Sequence, residues 1–476
     1  LIQRDPDALL HVAPATTALT DYRHVWLVGI EGVGLSGAAR LLRARGYRVG
    51  GCDAKPGARC QGLRRMGIDI AGGEGAEALP VSADLVVRSA AVPDDHPQIE
   101  AARARGLPVW KYAQLVGALM QGRLGICVAG CHGKTTTSSF LADALLHAEA
   151  DPSFVIGGDL RRVGTGARHG GGETFVVESC EFDRSFHAHR PLVAIVTNVD
   201  EDHLDYYTDL AEIQESFRVF ASRLPTDGVL IVNDPFAALF LGDPRIDCQI
   251  ERYGFGSGAD WRSGEPELEA GGGVRFSLDT PSGETWDMHL PVVGHHNVLN
   301  ATAAAAALWA AGFSAAQIRA GLADFRGVGR RLEHVATRRG VDIVDDYGHH
   351  PAEIRAVLRA LRARYGDRRL RVVFQPHQAS RTRCLLGEFA ATLAAADEVW
   401  MPPIFFARDS EEERRAVTSE DLVRRIQNEG GAARAFPDLA SVVAHAEAVL
   451  EPGDVLVTMG AGNVDEVAHG LAERLR

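Results

Sequence analysis

The chain has 476 residues, enough for about three domains with separate cores. Its formal net charge of −13 argues against general nucleic-acid binding, which needs an excess of cations to meet the phosphate backbone. No apolar run reaches the ~20 residues of a membrane span, Leu1 to Thr20 lack a signal-peptide core, and seven scattered cysteines fit reduced thiols in a cytoplasm.

Residues 1–22 read as a poorly structured lead-in. Val25 to Gly29 form a predicted strand, followed by Gly32-Val33-Gly34-Leu35-Ser36-Gly37 and an apolar-periodic helix to Arg45. Asp53 lies 21 residues beyond Gly32, after a second strand. The pattern is a dinucleotide fingerprint: a tight turn, close approach of backbone to a pyrophosphate, and an acid near a ribose. Alone it suits a nicotinamide-dependent oxidoreductase, or a glycine turn needed only for helix packing. Strands at Leu85 to Val87 and near Val109 complete an α/β unit ending around Met120.

Gly125 to Phe140 carries the strongest signal. Ile126 to Ala129 read as a buried strand, Gly130-Cys131-His132-Gly133-Lys134-Thr135 as a loop, and Thr136 to His147 as a helix. Such a loop holds a nucleotide triphosphate: backbone N–H groups face the phosphates, Lys134 neutralises them, and the Thr135 hydroxyl can bind Mg²⁺. The spacing is shorter than in the common phosphate loop, since Val128 stands where the first glycine would be. Lysine usage supports the reading. Among 50 Lys and Arg there are three lysines, Lys55, Lys111 and Lys134, so a compact ammonium is kept where phosphate suits it.

Later strands of this second unit end in polar groups: Glu178 after Phe175 to Val177, Thr197-Asn198 and Asp200 to Asp205 after Leu192 to Val196, and Asn233-Asp234 after Val229 to Val232. Ligands of an open parallel sheet sit at the carboxyl ends of its strands, so these groups should meet at the phosphate loop. Residues 248–290 suggest a small antiparallel insertion, and His296 opens an Ala-rich helix to Ala311. Gly327 to Arg331 reads as a hinge. Beyond it, strands near Val341 to Val344, Leu370 to Phe374, Glu398 to Met401 and Val455 to Thr458 form a third α/β unit. Arg408 to Arg415 reads as a solvated loop and helix start.

The chemistry these groups support is phosphoryl transfer, which needs cations and a rigid grip on the triphosphate. Thr135 and Glu178 offer Mg²⁺ oxygen ligands. His203 suits a second metal ion, a phosphate or a structural role. His349, His350, His377, Arg381 and Arg383 can bind a carboxylate or move protons, although Arg383 also reads as a surface helix start. Asp345 or Asp346 could hold a ribose hydroxyl, and Asn297 with Asn300 a base or a helix end.

With these motifs assembled, the chain resembles the Mur ligases of bacterial cell-wall synthesis from Val25 to about Val467. The matching stretches, in family order, are VGIEGVGLSGAA, GCHGKTTTSS, TNVDEDHLDYY, HHNVLNA, FRGVGRRLE, DDYGHHPAEIRA, FQPHQASRTR and GDVLVTMGAGN. The resemblance implies three α/β domains. They are a Rossmann-like UDP-sugar domain over 1–122, a central ATPase-like domain over 123–326 with a mostly parallel sheet, and a Rossmann-like closing domain over 327–476. It implies that the lactyl carboxylate of UDP-N-acetylmuramate is joined to L-alanine, with ATP split to ADP and phosphate through an acyl phosphate. No nicotinamide is then used.

By the same resemblance, Gly32, Val33, Gly34, Ser36, Asp53 and Ser89 bind the UDP-sugar. Gly130, Cys131, His132, Gly133, Lys134, Thr135 and Thr136 bind ATP, together with Asn297, Arg330 and Asp346. Thr135 and Glu178 hold one Mg²⁺ and His203 helps hold a second. Tyr347, His349, His377 and Arg381 shape the alanine and acyl-phosphate site, with Lys134, His203, His349 and Arg381 as the catalytic set. The chain departs from the family pattern at Cys131 (usually Thr), at Cys180 within Glu178-Ser-Cys-Glu-Phe-Asp183, and at Gln378 (usually Arg). No lysine follows Lys134, which excludes the carbamoylated lysine of many relatives. A recycling ligase that attaches a preformed tripeptide is the nearest alternative, disfavoured by Asp205-Tyr206-Tyr207 and the GAGN stretch. The partners implied are small molecules, with monomer and homodimer both open.

Overall fold

The fold begins with an apolar strand, His24–Val28, whose five residues are all buried. The computed structural model describes residues 17–202, 206–270, 272–407 and 409–475. His24–Val28 is the middle of a five-stranded parallel sheet in the order Asp69–Ile70, Arg48–Cys52, His24–Val28, Leu85–Arg88, Val109–Lys111. The helix Val33–Ala44 follows the first strand directly and buries Leu35, Ala38, Leu41 and Leu42, an i, i+3 spacing that puts one apolar face on the sheet. Residues 1–16 of the expected lead-in lie outside the described residues. The rest of it is structured: Leu19–Asp21 forms a 3₁₀ turn, and Leu19 and Tyr22 join the core. Tyr22 packs edge-on against Trp110, 5.4 Å between centroids, and this apolar contact anchors a polar-looking stretch.

The second sheet has eleven strands. Seven are parallel neighbours in the order Trp261–Ser263, Gln249–Gly254, Val229–Asn233, Val193–Val196, Leu124–Ala129, Thr174–Glu178, Ser153–Leu160. Central strands buried on both faces read as continuous apolar runs, which is why VAIV and GICVA stand out in the sequence. The antiparallel part is smaller than 248–290. Gln249–Gly254 and Trp261–Ser263 extend the parallel order, and reversal begins where Ser263 pairs with Leu278.

A six-stranded sheet forms the C-terminal part, in the order Glu333–Arg338, Val341–Asp346, Val455–Met459, Leu370–Phe374, Glu398–Met401, Ala433–Ala435. All neighbours are parallel except the first pair. The helix Pro351–Tyr365 starts with proline at its first turn and a capping box made by His350 and Glu353. His350 therefore works as a helix cap. Of the Arg408 to Arg415 run, Arg408 lies outside the described residues and Glu411–Ala416 is a short helix capped by Ser410.

Contacts divide the chain into two units. One comprises residues 1–265, 276–290 and 299–326; the other comprises 266–275, 291–298 and 327–476. Among the described residues no helix is long and apolar enough to cross a membrane.

Candidate active site

In the first unit the strand Leu124–Ala129 runs into Gly130, and the next helix, Lys134–His147, starts two residues before the expected Thr136. Two glycines make this loop possible. Gly130 has φ 135° and a Cβ there would run into Thr197 Oγ1; Gly133, the N-cap, has φ 83° and a Cβ 2.7 Å from Asn300 Oδ1. The neighbouring strand end clamps the loop. Asn198 Oδ1 accepts from the His132 N–H at 2.9 Å, while Thr197 Oγ1 (2.6 Å) and Asn198 Nδ2 (2.9 Å) donate to the His132 carbonyl. Asn233 Nδ2 in turn donates to the Thr197 carbonyl at 3.2 Å. The polar strand ends thus meet at the loop, in keeping with the parallel-sheet argument.

Cys131 keeps its place in the loop. Its thiol donates to the Asp200 carbonyl at 3.2 Å and the Asp200 N–H points back to the sulfur at 3.2 Å. Burial raises the pKa of this thiol, so it stays protonated. Lys134 Nζ donates to the Gly130 and Cys131 carbonyls at 2.5 and 3.1 Å and pairs with Glu181 at 3.0 Å. Burial is the largest single influence and would lower the pKa of this ammonium, but Glu181, with Cys180, Cys131 and Glu178 adding to it, holds it above the ordinary lysine range.

Thr135 Oγ1 donates to Glu178 Oε1 at 2.9 Å, and Glu178 Oε2 accepts from the Gly157 N–H at 2.6 Å. A hydroxyl and a carboxylate placed side by side are donors of the type Mg²⁺ takes, so these two residues fit that ion. His203 lies outside the described residues. No group of three or more His, Cys, Asp or Glu that could hold a metal ion occurs among the described residues.

The segment from Glu178 to Asp183 does more than supply Glu178. Glu181 meets Lys134, and Asp183 Oδ2 meets Lys111 Nζ at 2.7 Å. Three carboxylates within six residues thus engage Thr135, Lys134 and Lys111. Asp183 and Arg184 both adopt left-handed backbone, φ 54° and 51°, a conformation costly for such residues and held here by the surroundings. Those surroundings include Tyr207, whose hydroxyl donates to the Glu181 carbonyl at 2.6 Å and whose ring faces the Arg184 guanidinium at 5.5 Å. Sequence reasoning missed Glu181, Lys111 and Tyr207 as site builders. Lysine scarcity and the DYY stretch were the available signals.

A cavity of about 260 Å³ opens beside this segment. One wall is Gly29, Gly32, Val33, Gly34 and Ser89; another is Lys111 and Tyr112; the third is Glu178, Asp183 and His189. The fingerprint glycines and the phosphate-loop carboxylate thus line one space. Ser36 does not reach it: its hydroxyl donates to the Val33 carbonyl at 3.0 Å and the residue is buried. Asp53 accepts from the backbone N–H of Glu31 and of Lys55, both at 3.0 Å, and so braces the loop behind the glycines. Thr136 lies in the first turn of the phosphate-loop helix.

The second unit gathers the remaining candidates. Arg330 lies over the Tyr347 ring at 5.1 Å, Tyr347 meets His349 edge-on at 5.6 Å, and His349 meets His377 at 5.9 Å. His377 stacks on Phe405, 5.7 Å between centroids, and Arg381 sits on the short helix Ala379–Cys384 that follows. Gln378, at the family's arginine position, has φ 69° and is buried, its N–H donating to the Phe405 carbonyl at 3.0 Å. Asn297 donates to the Val293 carbonyl at 2.8 Å.

Asp346 accepts from the N–H groups of Leu332 (2.8 Å) and Gly348 (2.7 Å). Burial nevertheless pushes its carboxyl up to about 6. A carboxyl raised on folding gives stability below its unfolded pKa and loses it as pH rises through the folded value. From about pH 4 to about pH 6, Asp346 should therefore cost the fold up to about 3 kcal/mol. Denaturant titrations of the native chain and Asp346→Asn should show the native chain losing ground to the variant across that interval. A difference that does not change with pH would refute the assignment.

Comparison with known proteins identifies the class. Residues 24–124 match the description "Mur ligase family, catalytic domain", 128–308 "Mur ligase middle domain", and 330–462 "Mur ligase, glutamate ligase domain". The chain belongs to the Mur ligase family. It is 42% identical over 453 residues to the UDP-N-acetylmuramate–L-alanine ligase of Solidesulfovibrio magneticus, covering 94% of this chain and 98% of that one. The enzyme of the same name from Thermobifida fusca is 40% identical, covering 95% and 96%. Among solved structures, UDP-N-acetylmuramate-alanine ligase MurC from Thermotoga maritima is similar with a TM-score of 0.78 at 25% identity, covering 95% and 98%. A murein peptide ligase from Psychrobacter arcticus follows with a TM-score of 0.69 at 26% identity, again covering 95% and 98%.

Proposed function

We propose that this chain is an ATP-dependent ligase that joins the carboxylate of UDP-N-acetylmuramate to L-alanine, releasing ADP and phosphate. The observation that carries this reading is one acidic segment, Glu178 to Asp183, which engages both the phosphate-loop residues Lys134 and Thr135 and the wall of a cavity shared with the fingerprint glycines. A sugar-borne acid in that cavity lies next to the triphosphate site. The sugar nucleotide's diphosphate would rest on the helix N-terminus at Gly32 to Gly34. Its carboxylate would attack the γ-phosphate, and the resulting acyl phosphate would accept the alanine amine with loss of phosphate.

In this reaction Lys134 leaves Glu181 for the phosphates and offsets the charge that develops on them. Thr135 and Glu178 would hold Mg²⁺, with His203 proposed for a second ion, and the metal would supply further charge neutralisation at the phosphate oxygens. Asn297, Arg330 and Asp346 would serve the nucleotide. Tyr347, His349, His377 and Arg381 would serve the amine and the acyl phosphate. A reaction that consumes ATP and a sugar nucleotide would take place in the cytoplasm.

Purified protein should release ADP only when UDP-N-acetylmuramate, ATP, Mg²⁺ and L-alanine are all present. Substituting L-alanyl-γ-D-glutamyl-meso-diaminopimelate for alanine should give no release. Release with the tripeptide and none with alanine would assign the chain to recycling. No release with either amine would overturn the ligase reading.

A further inference from the structure

Lys111 is one of three lysines in the chain, and its neighbourhood is that of a ligand-binding group. It is the N-cap of the helix Tyr112–Met120, whose first residues Tyr112 and Ala113 line the cavity with it. The helix Val33–Ala44 presents its own N-terminus to the same space through Val33, Gly34 and Leu35. Two positive helix ends and one ammonium therefore border one cavity, an arrangement suited to an anion. The Lys111 side chain is about one-third exposed, so it is within reach of an incoming ligand. Asp183 holds it at 2.7 Å from a strained left-handed backbone position.

We infer that Lys111 is a substrate-contacting residue: its ammonium receives an anionic group of the sugar nucleotide, and Asp183 holds it in place until that group arrives. This assignment rests on the ligase reading. The ligand's anion displaces one carboxylate from an ammonium, with no covalent change. Asp183 belongs to the same segment as Glu178 and Glu181, so the exchange takes place five residues from the Thr135 partner.

The test is isothermal titration of UDP-N-acetylmuramate, UDP-N-acetylglucosamine and ATP into the full chain and into Lys111→Met and Asp183→Asn. Lys111→Met should weaken UDP-N-acetylmuramate about tenfold or more, the loss expected for one charge-assisted contact, and leave ATP binding unchanged. Asp183→Asn breaks the same ion pair but removes a carboxylate facing the ligand, so it should bind the sugar nucleotide more tightly. Equal weakening of UDP-N-acetylglucosamine by Lys111→Met assigns the contact to the diphosphate; weakening of the muramate alone assigns it to the lactyl carboxylate. Native affinity in Lys111→Met, or equal losses in both variants, would overturn the assignment. A native chain that binds neither sugar nucleotide overturns the ligase reading and this assignment with it.

Discussion

Replacing Lys134 with alanine is expected to lower ADP release by about 10²–10³-fold while UDP-N-acetylmuramate still binds. The size follows from where the charge sits. The ammonium is 13% exposed and bonds to two carbonyls of the phosphate loop, so water cannot replace it when charge builds on the γ-phosphate. Arginine should not rescue the variant, because a planar guanidinium is larger and cannot occupy the space between Gly130, Cys131 and Glu181. The substitution also leaves Glu181, 1% exposed, without the Lys134 charge. Some loss of stability, on the order of 3 kcal/mol, should accompany the loss of turnover. Turnover and melting temperature, measured together on Lys134→Ala, separate the two effects. Sugar nucleotide binding is the control: its loss in the same variant would show that the cavity and the phosphate loop do not divide the labour as described.

Arg330→Ala should unfold the second unit earlier, by about 3–5 kcal/mol. The family resemblance assigns Arg330 to the nucleotide, yet its present bonds are internal. Its Nε pairs with Asp345 at 3.0 Å, and its terminal nitrogens donate to the Gly462 and Gly460 carbonyls at 2.8 and 2.7 Å. Asp345 has no exposed surface, and burial raises its pKa while Arg330 opposes that rise. Without the guanidinium the carboxyl would rise further. Its cost appears only as pH climbs through the folded pKa, so the variant's deficit should be larger near pH 7 than near pH 4. Calorimetry of the full chain at both pH values tests this. A deficit below about 1 kcal/mol, the level of an exposed ion pair, would mean that Arg330 is held for the nucleotide alone.

The sequence made the α/β order and the phosphate loop legible because both depend on local patterns: apolar strand runs, glycines and a single Lys-Thr. Thr197, Asn198 and Glu178 were legible at one remove, since parallel strands deliver their ends to one edge. Less was legible where a residue's role depends on distant partners. Nothing local distinguishes Glu181 from its neighbours until the fold sets it against Lys134. Ser36 looks like a ligand contact by position, but its hydroxyl turns back onto its own helix. Residues 248–290 looked like an insertion because turn-rich sequence hides the parallel pairing of Gln249–Gly254 with Val229–Asn233. His350 reads in sequence as one of a group that can bind a carboxylate or move protons, and the helix N-terminus that follows it gives it a capping role.

The shortage of lysine has a practical consequence for chemical labelling. An acylating reagent would meet three side-chain amines, of which Lys55 is exposed and is not among the residues lining the cavity. Lys134 is shielded by its carbonyls and by Glu181, and being held as ammonium it is a poor nucleophile. Activity should survive the first acyl group and fall with the second, on Lys111, and sugar nucleotide should shield that second position. A mass spectrum taken during inactivation would then report site occupancy amine by amine.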